Sequence, residues 1–283
     1  MEKDKERLKV IENIKKNIEN NKLNDKVELN DPIVTEEQRQ NVVLQFDIMH
    51  EKKSTKVKTK LALSIVNNYT KLFNGKTEIV GMEKLNGFDS GAIITSNHFS
   101  VQDSTVIRHL TNKLKKSDVL HIIIEESNLF MEGEFGLILN YCNTIPLSES
   151  KEYMTKKFYP AVEEFLSKKH LILIYPEEEM WFNYRKPRPG KIGAYHLACK
   201  YNVPIISCFV EMIEEEEYES NGFKKLRYKL HILDVLYPDC TKSFKNRKED
   251  LKNRDNNLKI EAYEKIYGKK LDYKFENTDI AGF

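Results

Sequence analysis

From Glu78 onward, short apolar runs take turns with segments of helical periodicity, and no other feature constrains the fold as much. Apolar runs at 78–81, 92–95, 119–124, 142–147, 171–175, 204–210 and 226–235 have the length of strands. Helical patterns near 103–114, 158–166 and 191–201 lie between them. Strands that alternate with helices must bury both faces of their sheet. The alternation therefore predicts an α/β fold: a largely buried mixed sheet flanked by helices.

The segments on either side of this block differ in kind. In the first thirty residues, rich in charge and Asn, Leu8, Ile11, Ile14 and Ile18 recur at helical spacing, and Asp31-Pro32 breaks the pattern. Residues 36–73 read as two helices separated near Lys52-Lys53-Ser54. In the second, Leu61, Ile65, Tyr69 and Leu72 form one stripe, expected to face the core, with a membrane-facing or substrate-covering role as the alternative. The tail beyond Ser243 reads as helical and charged. No repeat and no Gly-, Pro- or Ser-rich linker divides the chain further. The expected organisation is a helical extension over 1–75, an α/β domain over 76–240, and a helical tail over 241–283 packed on that domain.

Composition narrows the function classes. Hydrophobic residues make up 40% of the 283, enough for a core, and a net charge of +2 does not suggest nucleic acid as a partner. Basic character is local, at 113–116 and 184–191. Cys142, Cys199, Cys208 and Cys240 are widely spaced and predict reduced, mostly buried thiols in a cytosolic protein. The charged N-terminus lacks a secretory pattern, and no apolar run reaches 18 residues. A cytoplasmic protein in peripheral contact with the inner, anionic membrane face is the expectation.

The chemistry concentrates in Ala92-Ile93-Ile94-Thr95-Ser96-Asn97-His98-Phe99-Ser100-Val101-Gln102-Asp103. A strand ends at Thr95 and a helix begins near Val101, which puts His98 at the carboxyl end of a strand, where open α/β sheets bind ligands. With His98 in the loop and Asp103 in the first helical turn, the two side chains can meet. An imidazole near neutral pH accepts a hydroxyl proton, and a carboxylate on its other nitrogen fixes the tautomer. Ser100-x-x-Asp103 also reads as a variant capping box, in which Asp103 merely starts the helix.

Asn97-His98-Phe99-Ser100-Val101-Gln102-Asp103 resembles the N-H-x4-D block of the glycerolipid acyltransferases, the family of lysophosphatidic acid acyltransferase. Ile174-Tyr175-Pro176-Glu177 is similar to that family's F-P-E-G block. Lys191-Ile192-Gly193-Ala194-Tyr195-His196-Leu197-Ala198 is similar to its K-x-G-A-F-x-L-A helix, and Asn202-Val203-Pro204-Ile205-Ile206 to its V-P-I-I-P strand. Residues 136–146 take the place of its second block. The ordered set spans roughly residues 78 to 235. The resemblance implies an acyl-CoA or acyl-carrier-protein donor as co-substrate, no other cofactor, and a lysophospholipid or glycerol-phosphate acceptor. His98 would be the general base and Asp103 its partner, with Asn97 and Glu177 shaping the acceptor site.

The sequence also departs from that pattern. After the Glu of the third block the family has Gly, Thr and Arg, whereas this chain has Glu178, Glu179 and Met180. The second block ends without Arg or Lys across Ile145-Pro146-Leu147-Ser148. Arg185, Lys186, Arg188 and Lys191 are the candidates to replace those acceptor ligands, because guanidinium groups hold phosphate bidentately; a solvated basic loop is the alternative. A lipid-binding protein that keeps the fold without the reaction, and a thioesterase or lipase that uses water, remain open. No metal motif supports a metal role for Glu177-Glu178-Glu179. Glu214 to Glu217 is expected to be a solvated loop, and His196 a packing residue. Trp181, Phe182 and Tyr184 can either insert at a lipid interface or line the core.

Overall fold

The chain was analysed as a computed structural model that describes residues 3–29, 32 and 34–283. Asp31, where the first helical pattern was expected to break, lies outside the described residues, as do Met1 and Glu2. Seven strands form one sheet in the order β1-β7-β6-β2-β5-β3-β4. They are β1 (Glu78–Val80), β2 (Ala92–Thr95), β3 (Leu120–Glu125), β4 (Thr144–Leu147), β5 (Leu171–Ile174), β6 (Ile205–Tyr218) and β7 (Lys224–Leu236). Only β6 and β7 pair antiparallel, so the sheet is mixed, as expected. Every residue of β2 is buried, which is why Ala-Ile-Ile-Thr shows no alternation: helices cover both of its faces.

Apolar side chains fill both sides of the sheet. One cluster joins Ile94, Leu173 and Leu230 to Val106, Ile107 and Leu110 of α4 (Asp103–Lys113). The other joins Ile93, Ile172 and Ile205 to α7 (Tyr159–Ser167), α8 (Gly193–Tyr201) and Leu251 of α9 (Phe244–Tyr267). The remaining helices are α1 (Lys5–Glu19), α2 (Glu36–Glu51), α3 (Lys53–Phe73), α5 (Gly133–Tyr141) and the short α6 (Lys151–Tyr153). Val10, Ile11, Ile14 and Ile18 of α1 pack with Trp181, Tyr184, Phe223 and Ile280. Beyond α9, residues 269–283 carry no helix apart from the single 3-10 turn Asn277–Asp279, so the tail is helical only in its first part.

Two expectations need correcting, and one open choice is decided. The stripe of α3 does not face the core: Leu61, Ile65, Tyr69 and Leu72 are exposed, Leu72 at 85%. The smaller residues Ala62, Val66 and Thr70, with Leu63, take the buried side, and this lets α3 lie close to α4 and α5. Glu214 to Glu217 is not a loop but the end of β6. Its carboxylates are matched across the ribbon by lysines, Lys224 Nζ lying 3.2 Å from Glu214, so the β6–β7 pairing continues where sequence suggested solvation. Trp181 and Tyr184 are buried, because α1 and residues 273–280 cover them, and no interfacial insertion is open to them.

Candidate active site

The register of the central strands assembles the site. β2 and β5 run parallel with Thr95 opposite Ile174, so their chains leave the sheet side by side. Residues 96–102 and 175–180 are thereby brought together at the carboxyl edge, although nearly eighty positions apart in sequence. His98 Nδ1 lies 2.7 Å from Asp103 Oδ2. The same oxygen accepts the amides of Phe99 at 3.1 Å and Ser100 at 3.4 Å. Asp103 therefore does both things its position allows: it ties the loop to the first turn of α4 and holds the imidazole. Gln102 caps α4 without a side-chain bond, so the capping work belongs to that carboxylate and not to a reciprocal box.

The other Asp103 oxygen accepts the hydroxyl of Tyr175 at 2.6 Å. The Tyr175 ring stacks on the imidazole, with centroids 4.1 Å apart and an interplanar angle of 12°. Burial around the hydroxyl, reinforced by the charge of Asp103, pushes the phenol well above its ordinary value, so it stays a donor. Sequence reading assigned Tyr175 no role; the signal was a Tyr where the resembled block has Phe. The His98 side chain keeps 21% of its exposure, and Nε2 has no hydrogen-bond partner among the described residues.

Glu177 and Arg188 sit behind this loop, both buried. Glu177 Oε2 accepts the His98 amide at 3.3 Å and lies 2.9 Å from Arg188 Nη2. Arg188 also donates to the carbonyls of His98 (3.4 Å), Leu23 (3.2 Å) and Glu179, and its guanidinium lies over the Trp181 ring. Trp181 N and Asn183 N donate to the carbonyls of His98 and Phe99 at 3.1 and 2.9 Å. The loop is thus clamped along its length by the segment that follows β5.

The remaining sequence candidates fall in different places. Asn97 is buried, and both ends of its amide are used by the main chain of Val210, at 3.1 and 2.8 Å, which joins the end of β2 to β6. Arg185 pairs with Glu214 at 2.7 Å and with the Thr278 carbonyl at 2.9 Å, and it shares no partner with His98. Lys191 is exposed, while its amide donates to the Pro176 carbonyl. Lys186 is buried and pairs with Asp272 and Asp279 at 3.2 and 2.9 Å, so the four cations do not converge beside the imidazole. Among the described residues no group of three His, Cys, Asp or Glu is placed to hold a metal ion. Cys142, Cys199 and Cys208 are buried and Cys240 is exposed, all as free thiols.

Residues 76–211 match the family model described as Acyltransferase. This part of the chain is similar to the acyltransferase family. The matched residues contain β1 to β5, the His98–Asp103 pair and the first half of β6. A solved structure carries the same fold: the 1-acyl-sn-glycerophosphate (LPA) acyltransferase PlsC from Thermotoga maritima. It is 16% identical, with a TM-score of 0.50, over 82% of this chain and 90% of that one. No curated protein matches the chain. In the matched residues, then, the block that carries His98 and the block that carries Glu177 are adjacent because β2 and β5 are.

Proposed function

We propose that the chain moves a fatty acyl group from acyl-CoA or acyl-carrier protein to a hydroxyl of a lysophospholipid or glycerol-phosphate acceptor. The observation that carries this reading is the imidazole of His98, anchored through Nδ1 on a buried carboxylate while the side chain stays partly exposed. Nε2 takes the acceptor's hydroxyl proton as the oxygen attacks the thioester carbonyl carbon. Collapse of the tetrahedral intermediate breaks the C–S bond, and the imidazolium returns the proton to the departing sulfur. An ester and a free thiol result, and no protein nucleophile is consumed. Asp103 stabilises the transient imidazolium and fixes the tautomer. Glu177 shapes the site through the main chain of His98, and Lys191 is the cation left exposed to meet an acceptor's charge.

The acceptor class is supported by the family match and by the 1-acyl-sn-glycerophosphate named for the structural relative. Contact with a membrane is supported by α3. Its sequence holds five lysines and no acidic residue, and its exposed Leu61, Ile65, Tyr69 and Leu72 lead toward the reactive loop, where Gln102 Nε2 donates to Tyr69 at 3.0 Å. Apolar side chains flanked by cations favour an anionic lipid surface. No helix among the described residues is long and apolar enough to cross a membrane.

The test is His98→Ala in purified protein, assayed for thioester consumption with and without lysolipid acceptors. The expected outcome is a loss of about 10²- to 10⁴-fold in kcat/KM with folding intact. Full activity in the variant would remove His98 from the chemistry. Thioester hydrolysis that no acceptor accelerates would replace transfer by a thioesterase reaction, and vesicle binding without thioester consumption would favour a lipid-binding protein.

A further inference from the structure

The geometry points to Tyr175 as a positioning residue that sets how strongly Asp103 holds the His98 base; this rests on His98 acting as that base. The carboxylate of Asp103 has two oxygens and both are committed, one to the imidazole and two main-chain amides, the other to the Tyr175 hydroxyl. An ionised carboxylate only accepts, so the phenol must donate. The flat contact between the Tyr175 ring and the imidazole holds the ring of His98 from its face while Asp103 holds it from its edge. The base is located in two directions by two side chains that touch each other.

The hydroxyl does something the ring alone does not. A donor on Oδ1 draws negative charge away from the side of the carboxylate that faces Nδ1. The imidazolium is then stabilised less than by a bare aspartate, and it gives its proton up more readily to the leaving sulfur. Other groups facing the pair are Tyr228 from β7, which feels the charge of Asp103 and bonds Ser100, and the Glu177–Arg188 pair behind the loop. Tyr69 from α3 reaches only Gln102. Glu177 and Arg188 neutralise each other, and the phenols of Tyr69 and Tyr228 are both held above their ordinary value, chiefly by burial. The variant leaves all of these groups in place, so a shift caused by the Tyr175 hydroxyl is readable against an unchanged background.

Tyr175→Phe keeps the ring and removes only the donor, and the block this segment resembles has Phe at that position. The experiment compares pH–rate profiles of the full chain and Y175F, using an acyl-CoA donor and a lysophospholipid acceptor, with His98→Ala alongside. With Oδ1 freed, the imidazolium is favoured, so the acid limb of kcat/KM moves to higher pH by about half a unit or more. Because the Tyr175 hydroxyl is committed to Asp103, its loss should lower kcat at pH 6 several-fold while KM changes less than twofold. A proton NMR titration of the His98 ring in both proteins reads the same shift without turnover, and near-UV circular dichroism checks packing. If H98A is inactive but Y175F matches the unaltered chain at every pH and in the titration, the base assignment stands and the role of Tyr175 is overturned. If H98A keeps full activity, both fall.

Discussion

The loop that carries His98 and the outer face of α3 are neighbours, joined where Gln102 meets Tyr69, yet they are treated in opposite ways. The loop is only seven residues long, 96–102. It is held by Asp103, Glu177, Trp181, Asn183, Arg188 and Val210, drawn from three separate parts of the chain. The face of α3 carries large apolar side chains that meet solvent. A reacting group has to be placed to within a fraction of an ångström before substrate arrives, so rigidity there is useful. A surface that meets fluid lipid needs no fixed partner. On the proposed reading, stability and lipid contact are divided between two adjacent elements, and substitutions in each should fail differently.

The largest effect is expected at the clamp. Arg188→Met leaves the carboxylate of Glu177 buried without its partner and removes the donor from the carbonyls of Leu23, His98 and Glu179. Breaking one side of a buried pair typically costs about 3–5 kcal/mol. Urea denaturation should show a loss of that size, and the double variant Glu177→Gln with Arg188→Met should recover part of it. A single variant with unchanged midpoint would mean that the loop is not held from behind, and the comparison would break.

On α3 the sign of the contrast reverses. Leu61→Ser, Ile65→Ser and Leu72→Ser together should alter stability by only about 1 kcal/mol, because exposed positions rarely matter more. Binding to vesicles containing phosphatidylglycerol should fall at least about tenfold, since apolar area entering the lipid is lost. Leu63→Ser, on the buried side of the same helix, should do the opposite: it should lower stability by about 2 kcal/mol or more and spare the vesicle contact. Equal vesicle binding by the triple variant and the unaltered chain would leave the exposed stripe without this role.

Both regions were present in the sequence, but to different depths. His98 and Asp103 were readable as a meeting pair because loop and first turn are local, and only four residues lie between them. The α/β alternation was readable because burial on both faces removes polar residues from strands such as 92–95. The helix over 133–141 was not, since Gly133 and Gly136 interrupt its pattern. Periodicity showed that α3 has an apolar stripe but not its direction: Leu61, Ile65, Tyr69 and Leu72 interleave with Ala62, Leu63, Val66 and Thr70, and only the shape of α4 and α5 chooses between them. Arg188 read as a cation for an acceptor because nothing local announces that Glu177 and three carbonyls await it. Such partners are set by the register of β2 on β5, which no single segment encodes.

The smallest expected effect tests whether the clamp itself is under strain. The turn after β5 closes with the Glu178 amide on the Tyr175 carbonyl at 3.0 Å, and Glu178 adopts a left-handed backbone with φ of 64°. The resembled block has Gly there, the residue that takes this conformation at least cost. Glu178 is exposed, so its side chain offers little to offset the strain. Glu178→Gly should therefore raise stability by about 0.5–1 kcal/mol, the left-handed penalty less the entropy glycine loses on folding. Glu178→Ala, which keeps the β-carbon, should bring no such gain. Thermal unfolding of both variants separates the two contributions. A rise in both would trace the gain to removal of a charge from the Glu177-Glu178-Glu179 run, and a rise in neither would mean the turn holds its left-handed residue without cost. A rise in the glycine variant alone would show that the loop is clamped firmly enough to impose a costly conformation one residue after Glu177.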